Sequence, residues 1–195
     1  MGTRDPEDTA AYEAALAEVT VGPVQALPGR IVVRDYDRAW PERYRREAAR
    51  VRSALGERVI SLEHVGSTSV PGLPAKPIID MVLEVPDSAD EAAYVDALEA
   101  AGYVLRIREP EWFEHRLLRA PDGSVHLHVF SAGCPETARM VRFRDHLRTS
   151  PADRELYAAR KRALAARDWK YMQQYADAKT EVVGQIMARA AGAGR

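Results

Sequence analysis

Cysteine is nearly absent from this 195-residue sequence, with Cys134 the single example. One thiol excludes an intrachain disulfide and any Cys-rich zinc site. Long hydrophobic runs are missing too. The apolar pair Ile78-Ile79 meets Asp80 at once, far short of the about 20 residues that a membrane-spanning helix requires. A large excess of one charge is also lacking. The formal net charge is -1, which argues against a general nucleic-acid coat or a polybasic membrane binder. The N-terminus, Met1 to Asp8, is acidic and carries no apolar signal segment, so a cytoplasmic location is the expectation. No internal repeat breaks the chain into units.

What is present suits one globular domain. Hydrophobic residues make up 46% of the chain and charged residues 29%, enough to build a full core at this length. Charge is unevenly spread. Five acids and no bases lie between Asp87 and Glu99, whereas ten Lys/Arg against four Asp/Glu lie between Arg139 and Lys170. The plain reading is two solvated helix faces; the sharper one is a basic wall that attracts a phosphorylated ligand.

Periodicity predicts a helix over 8–19 and another from Pro41, with Trp40, Tyr44, Ala48, Val51 and Leu55 at helical spacing until Gly56. Strands are predicted over 58–65, 77–85 and 103–107. Pro121-Asp122-Gly123 marks a hairpin between 115–120 and 125–130. Ser88 with Glu91 reads as a capping box for a helix carrying Ala92, Val95 and Leu98 and ending at Gly102. Helices follow over 136–148, from Ser150-Pro151, and in one long stretch around 169–188. Early and central strands followed by helices give an α+β (mixed α/β) class. Residues 1–29 form an N-terminal extension with a helix, 30–188 the domain, and 189–195 a flexible tail.

The most unusual stretch runs from His64 to Asp80. In it a predicted strand enters Gly66-Ser67-Thr68-Ser69 and Lys76 precedes Asp80. Such a turn offers backbone N–H groups and hydroxyls to phosphate oxygens, although the spacing Gly-x4-Gly-Lys-Ser/Thr of a P-loop is absent. Strand parity puts Asp80, Val82 and Glu84 on one face. A carboxylate within an apolar strand needs a partner, a metal or an open cleft; for Glu84 a solvated surface position is the alternative. His126 and His128 also share a face. They suit a metal completed by Asp80 or Glu84, a phosphoester, or an ordinary polar sheet face. Arg116 and Arg119 lie an odd number apart, so a regular strand cannot turn both into one cleft. Arg144, Lys161 and Lys179 are phosphate candidates from the helices, with surface charge as the alternative.

The run Val65 to Asp80, with Asp35-Tyr36-Asp37 and Trp40 before it and His126-Leu127-His128-Val129, Phe143 to Arg148, Tyr157, Lys161, Tyr175 and Lys179 after it, resembles the GrpB family. The resemblance covers roughly residues 30 to 185. That family is similar in turn to the nucleotidyltransferase superfamily, which implies a small mixed sheet with packed helices and a helical C-terminal part. In the superfamily, Gly-Ser precedes an Asp-x-Asp strand and a later strand supplies a third acid; the acids hold two Mg²⁺ ions. Gly66-Ser67 and Asp80 match, Val82 stands at the second acid position, and His126 and His128 stand where a later acid is expected.

The resemblance implies a nucleotidyltransferase-fold enzyme that moves a nucleotidyl group from a nucleoside triphosphate to a small-molecule acceptor. Gly66, Ser67, Thr68, Ser69, Lys76, Arg144, Lys161 and Lys179 would hold nucleotide phosphates. Asp80, Glu84 and His128 would bind a divalent metal (Mg or Mn), and His126 or His128 would serve as base. Three outcomes follow from the departures: Glu84 substitutes for the missing acid, a single ion such as Mn²⁺ is used, or metal-dependent transfer is lost. The alternatives are a non-catalytic module that binds a nucleotide or phosphometabolite, and a kinase- or ligase-type enzyme on the same fold. Some members of the family are fused to a dephospho-CoA kinase, which hints at nucleotide or phosphate chemistry. Neither a membrane nor a nucleic acid is expected as partner.

Overall fold

The computed structural model describes residues 6–192. Helix α1 (Pro6–Val19) precedes α2 (Trp40–Leu55), which has Pro41 in its first turn and stops at Gly56, whose φ is 56°. Strand β1 (Ser61–Val65) leads through the 3-10 turn Ser67–Ser69 to β2 (Ile79–Val85). Helix α3 (Val95–Ala100), β3 (Val104–Glu109), β4 (His115–Arg119) and β5 (Val125–Ser131) follow. The chain ends in α4 (Pro135–Thr149), α5 (Pro151–Ala165), α6 (Met172–Asp177) and α7 (Thr180–Gly192).

The five strands form one mixed sheet in the order β1-β2-β5-β4-β3. Neighbours are antiparallel except β2 and β5, which run parallel. The predicted hairpin joins β4 to β5, with the Gly123 amide donating to the Ala120 carbonyl at 2.9 Å. Alternation divides the sheet's side chains cleanly. Met81, Leu83, Leu127, Val129 and Leu118 join Trp40, Ala48, Val51, Leu55 and Leu98 in the main core, on the side of α2 and α3. The opposite face carries Asp80, His126 and His128. There a smaller cluster of Val65, Val82, Phe130 and Cys134 packs against Met140 and Val141 of α4.

The predicted mixed α+β class matches the observed fold, and several boundaries move for local reasons. Residues 56–58 make a 3-10 turn, so β1 begins at Ser61. Pro77 lacks an amide proton to offer a ladder, and β2 begins only at Ile79. Ser88 does not cap a helix: it is fully buried and shares a 3.0 Å hydrogen bond with Ser131. Glu91 instead forms ion pairs with Arg108 and Arg116, both 2.6 Å. A 3-10 turn over Glu91–Ala93 therefore precedes a shorter α3. The long helix predicted near the C-terminus is two helices, α6 and α7, broken at Ala178-Lys179. Helix α7 continues to Gly192, so 189–192 is helical rather than loose; residues 193–195 of that predicted tail lie outside the described residues.

The segment after α1 lies along the sheet's edge. Thr20 bridges Ile107 of β3, and the Val21 amide donates to the Arg106 carbonyl at 2.8 Å. Across the molecule, Lys170 pairs with Glu13 at 2.5 Å. Among the described residues, no helix is long and apolar enough to cross a membrane.

Candidate active site

The parallel pairing of β2 and β5 sets Asp80 opposite His126 and Val82 opposite His128. Asp80 Oδ1 lies 3.4 Å from His126 Nδ1. Burial raises the Asp80 pKa, but the hydrogen bond and charge of His126, with His128 and Lys76, outweigh it and hold the carboxyl at about 2. These side chains floor a cavity of about 630 Å³ between the polar face of the sheet and the C-terminal helices, a volume typical of small-molecule sites.

The Gly66–Ser69 turn forms one rim, and its atoms are committed unequally. Gly66 adopts φ 66°, and a Cβ placed there would come within 2.9 Å of the Asp80 Cγ. Only glycine lets the backbone pass so near the carboxylate. The Thr68 hydroxyl donates to the Ile78 carbonyl (3.1 Å) and meets His64 Nε2 at 3.0 Å. Burial lowers the His64 pKa to about 4, so the ring is neutral and its Nε2–H is the donor to that oxygen. Ser69 Oγ donates to the Gly66 carbonyl at 2.6 Å, and Arg148 donates twice to the Ser69 carbonyl. Thr68 and Ser69 thus build the turn, while Ser67 lines the cavity with Tyr157.

Basic groups form the wall. Lys76, Lys161 and Lys179 converge from three separate segments. Lys76 and Lys179 both lie over the Tyr175 ring, and Lys161 lies over Tyr157 at 4.8 Å. Lys161 is almost fully buried and donates to the Pro74 carbonyl. Burial, reinforced by Lys179, lowers Lys161 to about 7 and Lys76 to about 8. Arg119, opposite His126 on β4, completes the ring. Its Nε is buried with no hydrogen-bond partner among the described residues, a condition that proteins rarely leave unanswered. Arg116 turns to the other face and pairs with Glu91, as the odd spacing requires.

A carboxylate–imidazole chain across three strands completes the floor and escaped the sequence reading. Glu109 Oε2 lies 2.6 Å from His115 Nδ1, and His115 Nε2 lies 3.0 Å from His128 Nδ1. Burial foremost, then the neighbouring His115, lowers His128 to about 3, so its ring is neutral. If His115 donates Nδ1–H to Glu109, its Nε2 must accept from His128, which leaves His128 Nε2 as an acceptor. His115 lies at the same strand parity as Arg119, a signal available in the sequence; Glu109 required the β3–β4 register.

Two expected site residues lie elsewhere. Glu84 is four residues along β2 from Asp80, roughly 13 Å at strand rise, where it accepts from Ser61 Oγ and the Gly133 amide. Arg144 pairs with Glu63 at 2.7 Å and Asp145 at 2.8 Å and donates to the His64 carbonyl. It fastens α4 to β1 outside the cavity. The two-magnesium arrangement does not fit this donor set. Asp80 stands without a second acid beside bases, and among the described residues no group of three or more His, Cys, Asp or Glu is set to hold a metal ion.

A family model described as GrpB protein matches residues 30–189. A UPF0157 protein from Halalkalibacterium halodurans is 55% identical over 175 residues, 90% of each chain. Another from Streptomyces coelicolor is 46% identical over 194 residues, all of this chain and 97% of that one. A protein named dephospho-CoA kinase from Mycolicibacterium paratuberculosis is 27% identical over 80% of this chain and 43% of its own length. Among solved structures, the conserved protein GrpB from Enterococcus faecalis superposes with TM-score 0.66 at 31% identity, covering 79% of this chain and 98% of that one.

Proposed function

The chain belongs to the GrpB family, and on that premise we propose that its cavity takes a nucleoside triphosphate and transfers the nucleotidyl group to a small hydroxyl-bearing acceptor, with protein cations in place of a metal pair. The observation that carries this reading is the convergence of Lys76, Arg119, Lys161 and Lys179 around Asp80, a carboxylate already engaged by His126. Such a surplus of desolvated positive charge is costly to keep and complements a polyphosphate.

In this reading the backbone around Gly66 and the Ser67 hydroxyl hold phosphate oxygens, and the cations bear the triphosphate charge. Asp80 keeps His126 in the tautomer with Nδ1–H toward the carboxylate, so that its Nε2 takes the acceptor's hydroxyl proton. The acceptor oxygen bonds to the α-phosphorus as the bond to the bridging oxygen breaks. Pyrophosphate leaves against Lys161 and Lys179, and the proton on His126 passes to solvent. His128 Nε2, held as an acceptor by His115 and Glu109, positions a substrate hydroxyl. The partial likeness to a protein named dephospho-CoA kinase supports a nucleotide-linked role.

Calorimetry with ATP, GTP, CTP and UTP in EDTA tests the binding step, and pyrophosphate release across an acceptor screen tests the chemistry. Binding is expected without metal, and Asp80→Asn and His126→Gln should abolish turnover while retaining triphosphate binding. Turnover unaffected by both variants, or no triphosphate binding in any condition, would sink the proposal. A second reading, a binding module without turnover, is favoured by the missing acid beside Asp80; multiple turnovers would remove it. ADP in place of pyrophosphate would indicate kinase-type transfer.

A further inference from the structure

The cavity is polarised along the strands, and the two ends differ in chemistry. At one end, Arg119 lies opposite His126, Lys76 and Lys161 are near enough to interact with the charge of Asp80, and Lys179 shares the Tyr175 ring with Lys76. The far end is level with Phe130, four residues along β5 from His126, roughly 13 Å away at strand rise. There the β3–β4 loop brings Trp112 to the cavity wall. Its indole meets His115 and Phe130 edge-to-face, with ring centroids 5.1 and 5.6 Å away and planes 80° and 74° apart. His115 and Phe130 themselves stack on each other at 4.8 Å. Among the described residues, no ring lies parallel to the Trp112 indole, and the residue is 39% exposed.

The loop gives up backbone comfort to hold this position. Phe113 and Glu114 follow Trp112 with φ of 54° and 51°, a left-handed pair that costs non-glycine residues energy. Amide bonds tie the loop down: Trp112 donates to the Glu109 carbonyl at 3.2 Å, and His115 to the Trp112 carbonyl at 3.1 Å. The same two residues, Glu109 and His115, carry the imidazole chain to His128. The aromatic platform and the hydroxyl-positioning histidine are therefore joined through the same two residues.

We propose that Trp112 is the base-stacking platform of the site, so that a ligand lies along the strands with its heteroaromatic ring on the indole, its sugar at His128 and its phosphates at the lysines. The inference rests on the nucleotide reading above and adds the ligand's orientation. A planar heterocycle is the occupant that an indole flanked by perpendicular rings suits, because the polarised π-face of a base stacks on indole in a way that an aliphatic chain does not.

Two probes separate the ends of the ligand: ATP, and inorganic tripolyphosphate, which has no ring. With the full chain, ATP is expected to quench tryptophan emission and tripolyphosphate to leave it unchanged. Trp112→Leu should weaken ATP by about tenfold and leave tripolyphosphate affinity unchanged, which also reports that the variant is folded. Trp112→Phe should keep most of the ATP affinity and lose the quenching, although Trp40 and Trp169 still emit. ATP binding to Trp112→Leu as tightly as to wild type, with tripolyphosphate still bound, overturns the platform and leaves the phosphate site standing. Failure of both probes to bind wild type overturns both.

Discussion

At the scale of single residues, the site depends on one missing side chain and on lysines held short of protons. Gly66→Ala would drive a methyl group into Asp80 at a backbone angle that alanine disfavours. The expected loss is roughly 1–3 kcal/mol of stability, read as a lower melting temperature, together with lost triphosphate binding. Lys161, near 7, and Lys76, near 8, are partly neutral at pH 8. A polyanion favours their charged forms, so binding must take up protons, and affinity must fall as pH rises from 7 to 9. Calorimetry in buffers of different ionisation enthalpy measures that uptake; none at pH 8 would contradict the assignment of these lysines. The folded-state consequence has a definite sign. Between about pH 7 and the ordinary lysine value of 10.5, the unfolded chain holds a proton at position 161 that the folded chain lacks, so this position's penalty shrinks as pH rises. Lys161→Met should accordingly stabilise more at pH 7 than at pH 10.

At the scale of elements, the helices divide their basic residues between structure and site. Arg144 belongs to structure, because its guanidinium joins α4 to Glu63 of β1 and to the His64 carbonyl. Arg144→Met should cost about 1–3 kcal/mol and leave triphosphate affinity unchanged; a binding loss at unchanged melting temperature would reverse that division. The sequence shows why the two roles are hard to separate there. Strand alternation made it legible that His126 and His128 share a face and that Asp80 interrupts an apolar strand, and the Asp-Gly turn made the β4–β5 hairpin legible; that the two strands lie side by side took the β2–β5 register. An acid four residues along a strand is also on the same face, which is how Glu84 entered the expected site; parity gives the side and says nothing of distance. Helical arginines carry no parity signal of this kind. The break at Ala178-Lys179 was invisible for a related reason. Neither residue opposes a helix, and the contact of Lys179 with the Tyr175 ring is one that i, i+4 spacing on an unbroken helix would also give. Trp112 and Glu109 sit at and beside a loop, where no periodicity applies.

At the scale of the whole molecule, the segment following α1 covers the open edge of the sheet. Thr20 bridges Ile107, and Arg106 donates to the Pro23 carbonyl at 3.2 Å. An uncovered edge strand invites pairing with another chain. Removing residues 1–29 should therefore leave the cavity's ligand affinity intact and produce concentration-dependent association, visible by sedimentation velocity. A truncated chain that stays monomeric would show that β3 protects itself.

The parallel placement of β5 beside β2 also has a kinetic consequence. Asp80 and His126 are neighbours across strands yet 46 positions apart in the chain, and α3, β3 and β4 all lie between them. Closing a loop of that length is entropically slow compared with forming the β4–β5 hairpin or the β1–β2 pair. Each half of the sheet can form from nearby sequence, but the two halves meet only along the β2–β5 seam. During refolding, the pairing of Asp80 with His126 thus marks the joining of the two halves of the sheet, and ligand binding should be regained no earlier than that seam closes.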